Sequence, residues 1–411
     1  MFAVTGATGL LGSNIVWEIL RANLYRLDRI KILWLGRGWR GATLRQRISA
    51  MLREDGAQYF LGGQTPDVLA AAEAAIVPIE ADLAEDGLGL SAIDLGAMAK
   101  ETIDYFVHCG GSTDLRSEAN VESELDEVIC RGTQRILDLL GSLPRGANHL
   151  AFVSTAFVCG ESEGHLLPDA MPSLGRFRNP YEEKKLFAEK LWRTYSQQNR
   201  TPYSIFRPTV ICGRTLERPL GHVTKFDTFY GWVAFFLSRK KRVLGDVDWP
   251  TLIETPVELP IRIALNADGG LNIVPCDLCA KTIYAALVSG VDDGSYHLAS
   301  KKSIPNVEMV WRVMELLRLE RWTVVDEPPS PADWNSHEHL YYRTVGAILT
   351  PYMSGKNMVF DLASMDQVLS VAKLPRSDVD GEAFSRLLEF AKPRRFGLRF
   401  AERASTAERG A

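Results

Sequence analysis

Long apolar runs and a strong net charge are both missing from this sequence. No stretch of ~18 apolar residues is present, so the chain lacks a candidate membrane-spanning helix. Lys and Arg (47) nearly balance Asp and Glu (51), and the net charge of −4 gives no general attraction to nucleic acid or to an anionic membrane. No basic and apolar leader precedes the first predicted strand, so we expect no signal peptide and a cytoplasmic location.

Cysteine is also scarce, with six in 411 residues. Cys276 and Cys279 form a C-x-x-C pair, but neither a second pair nor a histidine stands near it, which is a poor pattern for zinc. We therefore expect reduced core thiols and no metal. The overall composition, 46% hydrophobic and 24% charged, is typical of a globular protein with a large core.

The beginning of the chain carries the most informative pattern. An apolar strand over residues 2–4 runs into Gly6, Gly9 and Gly12, and an amphipathic helix follows. Such glycines allow a tight turn, close approach of backbone to a pyrophosphate and close helix packing, while the helix N-terminus attracts phosphate. A glycine-rich turn without a ligand is the alternative, but a second strand at 30–35 completes a βαβ unit. We expect the dinucleotide contacts to come from Thr5, Gly6, Thr8, Gly9, Leu10, Leu11 and Gly12.

The end of the second strand favours NADP over NAD. An NAD site would carry an acid there for the ribose 2′-hydroxyl, whereas an arginine suits a 2′-phosphate. Arg37 stands at this place and no Asp or Glu does. We expect Arg37 to bind the phosphate, helped by Arg40 or Arg45; a solvated surface charge is the alternative for each arginine.

Further strands alternate with helical patterns and end in residues suited to a ligand. Asp82 and Leu83 follow a strand at 75–79 and are expected to contact adenine, with a helix cap as the alternative. Strands at 103–108, 149–154 and 203–206 lead to Gly110, Thr155 and Pro208, of which Gly110 and Pro208 are expected at the cofactor. The alternation predicts an α/β fold with a doubly wound, mostly parallel sheet of the Rossmann kind.

The chain divides into a nucleotide-binding part and a smaller substrate-binding portion. Residues 1–210 are predicted to form the NADP-binding domain, to which 266–299 return. Residues 211–265 and 300–395 are predicted to form the mainly helical substrate-binding portion. The polar stretch 396–411 is expected to be a disordered tail.

Tyr181 and Lys185 carry the strongest sign of catalysis. Four residues apart, they lie on one helix face, where an ammonium favours the phenolate and brings the tyrosine pKa nearer to neutral. Thr155 ends a central strand one helix upstream and supplies a hydroxyl for a carbonyl oxygen. Strand alternation points either Thr155 or its neighbour Ser154 into the site. An exposed Tyr–Lys pair is the alternative.

These motifs resemble the extended short-chain dehydrogenases/reductases, and more narrowly their thioester reductase and fatty acyl-CoA reductase branch. The resemblance rests on the glycine turn, Thr155 and Tyr181-x-x-x-Lys185, and on the stretches 153–158, 179–185, 207–213 and 273–277. Pro351-Tyr352 and Phe360-Asp361 resemble the C-terminal part of fatty acyl reductases.

The resemblance implies an NADPH-dependent reduction of an acyl thioester carried on coenzyme A or on an acyl or peptidyl carrier protein. Thr155 and Tyr181 would hold the carbonyl oxygen, and Lys185 would lower the tyrosine pKa and bind the nicotinamide ribose. The product would be an aldehyde, or an alcohol after a second hydride. Two departures concern cofactor geometry: Ile129 replaces a usual Asn, and His108-Cys-Gly-Gly replaces His-x-Ala-Ala. We expect His108 to be a packed strand-end residue rather than an acid or base.

Two other functions fit the same residues. A dehydrogenase, epimerase or dehydratase would act on an alcohol, ketone or nucleotide sugar, and an NADP-binding sensor would not catalyse at all. The aromatic stripe Phe229, Trp232, Phe235 and Phe236 favours an apolar substrate over a sugar, although such a stripe also suits a core.

The same helix ends in four cations, Arg239 to Arg242. This basic end suits a peripheral membrane contact, an acidic carrier or a phosphopantetheine phosphate. We favour a core or pocket helix with a solvated basic end.

Overall fold

The computed structural model describes residues 1–61, 65–172, 175–290, 294–355 and 357–399. The strands in these ranges are β1 (Phe2–Thr5), β2 (Ile32–Gly36), β3 (Ile76–Glu80), β4 (Ile103–His108), β5 (Ala147–Val153), β6 (Gly164–Leu166), β7 (Tyr203–Pro208), β8 (Val210–Cys212), β9 (Val257–Ala264), β10 (Gly270–Leu271), β11 (Ile273–Pro275), β12 (Gly294–Leu298), β13 (Ile304–Pro305), β14 (Leu319–Val325) and β15 (Met358–Phe360).

The α-helices in the same ranges are α1 (Leu10–Ala22), α2 (Leu44–Met51), α3 (Ala57–Leu61), α4 (Pro66–Ala75), α5 (Ala92–Ala99), α6 (Ala119–Leu125), α7 (Gly132–Ser142), α8 (Pro180–Asn199), α9 (Phe229–Leu244), α10 (Trp249–Glu254), α11 (Cys276–Val288), α12 (Asn306–Leu316), α13 (Ser336–Arg343), α14 (Val345–Met353), α15 (Ala363–Val371) and α16 (Gly381–Ala391).

A seven-stranded sheet in the order β12-β7-β5-β4-β1-β2-β3 forms the centre of the nucleotide-binding part. Every neighbouring pair in it is parallel. The predicted α/β fold with a doubly wound parallel sheet is confirmed. The strand order reverses between β1 and β4, and ligands of such sheets bind in the crevice at this switch point.

Both faces of the sheet are covered, which explains the continuous apolar runs of its strands. Successive residues of β2 point to opposite faces: Trp34 packs in the cluster under α1 and α11, whereas Leu33 packs in the cluster under α7 and α8. Trp17 of α1 and Trp192 of α8 are fully buried on these two sides. Helices α1 and α11 thus cover one face of the sheet, and α7 and α8 cover the other.

A separate core cluster lies around α9 and also takes in Phe157 and Leu166 from the first 210 residues. Trp232 and Phe236 of α9 pack with Tyr341 of α13 and Phe384 of α16 in one buried cluster. A parallel pair of strands, β9 and β14, adds to the helices expected there. β15 pairs with β6 and so brings the end of this portion back beside the nucleotide-binding part.

Two sequence predictions differ from the structure, and one strand was not predicted. The single strand predicted at 271–275 is split into β10 and β11, which pair with β13 and β8 outside the large sheet. The edge strand β12 was not predicted, because its short Gly-Ser-Tyr-His-Leu run has little apolar periodicity. The prediction of a disordered tail from residue 396 is wrong for Phe396. This side chain is 2% exposed and packs in the core cluster around α9. The rest of that tail from residue 400 lies outside the described residues.

Candidate active site

Glycines at the turn between β1 and α1 leave no room for side chains. Gly6 has a φ of +70°, and a Cβ there would lie 2.4 Å from the carbonyl oxygen of Cys109. A Cβ on Gly12 would lie 2.3 Å from the Gly6 oxygen. The Gly9 amide closes the turn with a 2.9 Å hydrogen bond to the Gly6 oxygen, and α1 starts after it without a side-chain cap. The turn thus presents backbone N–H groups at a helix N-terminus, the arrangement that binds phosphate.

The other predicted residues of the turn differ in burial. Thr8 and Leu10 are half-buried, and Leu10 packs against the core of the second portion. Leu11 is buried under the sheet, so only its backbone is placed to contact a ligand. The turn therefore borders both parts of the molecule.

Thr5 ties the ends of β1 and β4 together. Its hydroxyl lies 2.6 Å from Nδ1 of His108 and accepts a 3.2 Å hydrogen bond from the Gly110 amide. His108 Nε2 lies 3.3 Å from the Thr133 hydroxyl, and its ring stacks on Trp192. Burial lowers the pKa of His108 to about 3. His108 is therefore a neutral packing residue, and the Thr5 side chain orders the turn.

Arg37 and Asp82, predicted for two different parts of a nucleotide, are paired with each other. Arg37 Nη1 donates to Asp82 Oδ2 at 2.6 Å, with 60% of the arginine side chain exposed. Asp82 also accepts from the Ala84 amide, and these hydrogen bonds lower the pKa of its carboxyl despite its partial burial. The ion pair joins the ends of β2 and β3 and places a guanidinium at the carboxyl edge of the sheet.

An open cavity of about 510 Å³ lies next to this pair. Its lining consists of Arg37, Gly38, Trp39, Arg40, Gly41, Ala42 and Thr43. Glu80 shapes the loop by accepting from the amides of Gly38 and Leu44. Arg45 lies exposed on α2 and does not line this cavity. Arg40, unlike Arg45, thus shares this cavity with Arg37.

Leu83, Gly110 and Pro208 lie along the same edge of the sheet. A Cβ on Gly110 would lie 2.8 Å from Leu83 Cδ1, so the two residues are in close contact. Pro208 ends β7 and accepts a long hydrogen bond, 3.4 Å, from the Thr155 hydroxyl. Leu83 and Gly110 are thus in contact after β3 and β4, whereas Pro208 lies beside Thr155 at the end of β5.

Thr155 and Ser154 are both buried at the end of β5. The Thr155 hydroxyl accepts from the Phe157 amide at 3.3 Å and so caps the short helical turn Ala156–Cys159. Ser154 Oγ is buried without a hydrogen-bond partner among the described residues. Thr155 is close enough to Tyr181 to lower the pKa of its phenol, which favours Thr155 over Ser154 as the hydroxyl on the Tyr181 side.

Tyr181 stands in the first turn of α8, half-buried beside Thr155 and Cys109. Burial raises the pKa of its phenol above the ordinary value of 10, and the hydrogen bond with Thr155 opposes this rise. The Tyr181–Lys185 spacing predicted a lowered pKa for Tyr181, whereas the structure raises it. The cause is desolvation of the phenolate, and the nearby Cys109, Glu182 and Asp227 add to the rise because they disfavour a further negative charge. Tyr181 is thus protonated at neutral pH and suited to donate a proton.

Lys185 is buried one turn further along α8. Its Nζ donates to the Val153 oxygen at 2.7 Å and lies 4.6 Å from the centre of the Phe152 ring. Burial lowers its pKa from 10.5 to about 8. The sequence therefore placed Tyr181 and Lys185 correctly on one helix, but the ammonium is anchored to the end of β5.

A buried polar cluster beside Tyr181 was not predicted. Asn179 and Glu182 flank Tyr181 in sequence, and both bind the hydroxyl of Tyr352 from α14. Arg178 pairs with Glu182 and donates to the Gly160 oxygen at 2.6 Å. Asn179-x-x-Glu182 is a helix-capping pattern that the sequence could have revealed. Tyr352 lies 170 residues from Glu182, and no local signal connects the two.

The aromatic stripe of α9 is core rather than pocket for most of its members. Phe229, Trp232 and Phe236 are each at most 1% exposed and pack inside the second portion. Phe235 is only partly buried and lines an open cavity of about 470 Å³ with Arg239, Lys241 and Arg242 among others. The stripe therefore does not by itself indicate an apolar substrate.

The basic end of α9 is only partly solvated. Lys240 is fully buried and donates to the oxygens of Ile253 and Leu317. Burial lowers its pKa to about 8. Arg239 Nη2 lies 3.3 Å from His337 Nδ1, and Arg242 is exposed. The expectation of a solvated basic end is thus wrong for Lys240, which ties three elements together.

Two remaining features are the Cys276–Cys279 pair and the apolar length of the helices. Cys276 and Cys279 are free, buried thiols in α11, and burial raises their pKa well above the ordinary value. Among the described residues, no helix combines the length and apolar character needed to cross a bilayer.

The parallel sheet and the glycine turn are those of an NAD(P)-binding domain of the extended short-chain dehydrogenase/reductase type, a class of oxidoreductases, and Thr155, Tyr181 and Lys185 are the candidate catalytic residues. Residues 4–283 match the male sterility protein family, and the chain belongs to this family. The expected kinship with the thioester reductase and fatty acyl-CoA reductase branch is thereby confirmed.

Known relatives come from two kinds of protein. A linear gramicidin synthase polypeptide of Brevibacillus parabrevis is 23% identical over 94% of this chain and 7% of its own length. Fatty acyl-CoA reductase 8 of Arabidopsis thaliana is 28% identical over 40% of this chain and 32% of its own length. The chain therefore spans less than a third of either curated relative.

Among solved structures, the terminal R domain from the myxalamid PKS-NRPS biosynthetic pathway has a similar fold. The TM-score is 0.70 at 21% identity, and the match covers 96% of this chain and 91% of that domain.

Proposed function

We propose that this protein is an NADPH-dependent reductase of an acyl thioester carried on coenzyme A or on an acyl or peptidyl carrier protein. The first product would be the aldehyde, and a second hydride would give the alcohol. The observation that carries the proposal is the proton-donating Tyr181 beside Thr155, at the crevice that begins with the glycine turn. A fatty acyl-CoA reductase and a linear gramicidin synthase among the relatives support the thioester as substrate.

The residues of the crevice fit a dinucleotide. Gly6 and Gly12 leave a cradle that a Cβ would fill, with uncapped backbone N–H groups at the start of α1 for the pyrophosphate. Leu83 and Gly110 would border the adenine side, where Asp82 holds the Arg37 guanidinium. Arg37 supports NADPH as the cofactor because a guanidinium pairs with a 2′-phosphate and no carboxylate ends β2. Arg40 would assist from the cavity lining.

NADPH, when bound, supplies the hydride for the thioester carbonyl carbon. Thr155 and Tyr181 hydroxyls would bind the carbonyl oxygen and stabilise the negative charge that develops on it. Tyr181 would then give its proton to this oxygen, and burial keeps the phenol protonated for the task. Loss of the thiol from the tetrahedral adduct releases the aldehyde. Lys185 would bind the ribose hydroxyls and replace the proton lost by Tyr181.

The test is NADPH consumption with a panel of acyl-coenzyme A and acyl-carrier thioesters, with release of free thiol measured in parallel. We expect one thiol for each thioester consumed, one NADPH per aldehyde and two per alcohol. NADH in place of NADPH gives the cofactor preference.

Alcohols, ketones and nucleotide sugars form the control panel. Turnover of one of these with no thiol release from any thioester would overturn the proposal.

A further inference from the structure

We propose that Tyr352 is a positioning residue for the active site: it holds the Tyr181 and Thr155 segments together from α14. The inference rests on the proposed function for its kinetic consequence only. Tyr352 is 9% exposed and lies in the second portion, far from Tyr181 in sequence.

The Tyr352 hydroxyl forms hydrogen bonds on both sides of Tyr181. It accepts from Asn179 Nδ2 at 2.7 Å and donates to Glu182 Oε1 at 2.8 Å. Asn179 is the N-cap of α8 and accepts from the Glu182 amide at 3.2 Å. One hydroxyl thus closes a ring of hydrogen bonds around the first turn of α8, which carries Tyr181.

The Tyr352 ring contacts the Thr155 segment. Its centre lies 5.1 Å from that of Phe157, in an edge-to-face arrangement. The Phe157 amide in turn donates to the Thr155 hydroxyl. The Arg178 guanidinium covers the Tyr352 ring at 5.2 Å. Tyr352 therefore contacts the segments of both candidate catalytic hydroxyls at once.

Glu182 is the buried charged group that makes the hydrogen bonds of this cluster important for stability. The residue is fully buried, and burial raises the pKa of its carboxyl while hydrogen bonds from Arg178 and Tyr352 lower it. A buried carboxylate is costly unless its oxygens are hydrogen-bonded. Burial and the neighbouring Glu182 carboxylate raise the pKa of Tyr352 well above its ordinary value, so its hydroxyl remains a donor. Removal of that donor leaves the guanidinium and the amide of Arg178 as the described donors to the Glu182 carboxylate.

Hydrogen bonds hold the C-terminal end of α14 directly beside Tyr352. The neighbouring Met353 oxygen accepts from the Asn266 amide at 2.9 Å and from Asn306 Nδ2 at 2.8 Å. The anchor of Tyr352 therefore includes Asn306 of the second portion and Asn266 of the 266–299 stretch, and through Tyr352 it sets the position of Tyr181.

The test compares Tyr352→Phe with the matched control Tyr341→Phe. Both variants remove one buried hydroxyl of the second portion, but the Tyr341 hydroxyl binds Trp232 and not α8. Hydrogen exchange over residues 178–183 is measured in the full chain, where the Arg178 and Glu182 amides donate to Glu182 and Asn179. We expect about tenfold faster exchange there in Tyr352→Phe, and no acceleration in Tyr341→Phe.

The kinetic arm uses the thioester that the wild type reduces. We expect Tyr352→Phe to lower kcat about tenfold with an unchanged KM for NADPH, because the nucleotide turn does not contact Tyr352. In a Tyr181→Phe background the same change should have no further effect. Tyr341→Phe should leave kcat unchanged.

Unchanged exchange at 178–183 in Tyr352→Phe, or equal acceleration in both variants, would overturn the inference. So would a loss of kcat that persists undiminished in the Tyr181→Phe background. A wild type that reduces no thioester would overturn the proposed function instead, and the exchange measurement would still decide the role of Tyr352.

Discussion

The glycine turn and the Thr155–Tyr181 site are built in opposite ways. The turn uses backbone within a few residues, and its shape depends on the space left by Gly6 and Gly12. The Tyr181 site uses side chains on separate elements, held by a tyrosine from α14. A short backbone device keeps its shape through local sterics, whereas a side-chain device needs support from distant residues.

This difference leads to different vulnerabilities. Changes in the turn should affect cofactor binding, and changes around Tyr181 should affect the chemical step at full cofactor occupancy. The following predictions separate the two.

The largest effect is expected for Tyr181→Phe. Loss of the proton donor should lower kcat by about a thousandfold, within the range of general acid catalysis, with an unchanged dissociation constant for NADPH. Steady-state kinetics and an NADPH titration measure the two quantities. Tyr195→Phe, on the same helix and also half-buried, is the control that should keep full activity. Equal losses in both variants would point to damage of α8 rather than to chemistry.

Gly6→Ala should disrupt the glycine turn and weaken NADPH binding. A Cβ in this left-handed backbone would overlap the Cys109 carbonyl, so the turn must shift, and NADPH affinity should fall about a hundredfold. Gly96→Ala on α5 is the control, since its Cβ meets nothing within 4 Å. Titration with NADPH and a melting curve of each variant are the measurements. Wild-type affinity in Gly6→Ala would contradict the role of the turn.

Arg37→Ala should lower the preference for NADPH over NADH by about tenfold, the value of one exposed charge-assisted hydrogen bond. The ratio of kcat/KM for the two cofactors measures this directly. Arg29→Ala, an arginine with 81% of its side chain exposed, should leave the ratio unchanged. A preference that survives Arg37→Ala but falls in Arg40→Ala would move the 2′-phosphate to the other arginine of the cavity.

A graded effect is expected from pH. Burial lowers the pKa of Lys185 from 10.5 to about 8, so its ammonium is present below this pH and lost as the pH rises through it. Cys109, Cys130 and Glu189 face the ammonium and oppose the shift. NADPH binding is expected to need the charged Lys185 ammonium. The kcat/KM for NADPH should therefore fall about tenfold per pH unit above about 8. Lys185→Arg should remain flat in this range; a wild-type profile that is equally flat would contradict the prediction.

The sequence predicted the sheet well because each strand is a local apolar run. Residues 103–108 were predicted as a strand and form β4 with these same bounds. The edge strand β12 was missed because its pairing with β7, not its own pattern, makes it a strand. The aromatic stripe of α9 was ambiguous for a related reason: periodicity reveals a buried face but not whether core or ligand covers it.

Side-chain partners were the harder part of the site. Arg37 and Asp82 were assigned to separate parts of a nucleotide, yet they pair across the ends of β2 and β3. The pKa of Tyr181 was expected to fall because Lys185 is near in sequence. The structure reverses the direction because burial penalises the phenolate and the ammonium binds Val153.

The sequence by itself determined the parallel sheet, the glycine turn and the presence of Thr155, Tyr181 and Lys185, because these depend on local patterns. Only the tertiary structure decided that Lys240 is buried, that His108 orders Thr5, and that Tyr352 holds α8. Each of these depends on contacts between residues that are far apart along the chain, where hydrogen bonding and desolvation, rather than local propensity, fix the outcome.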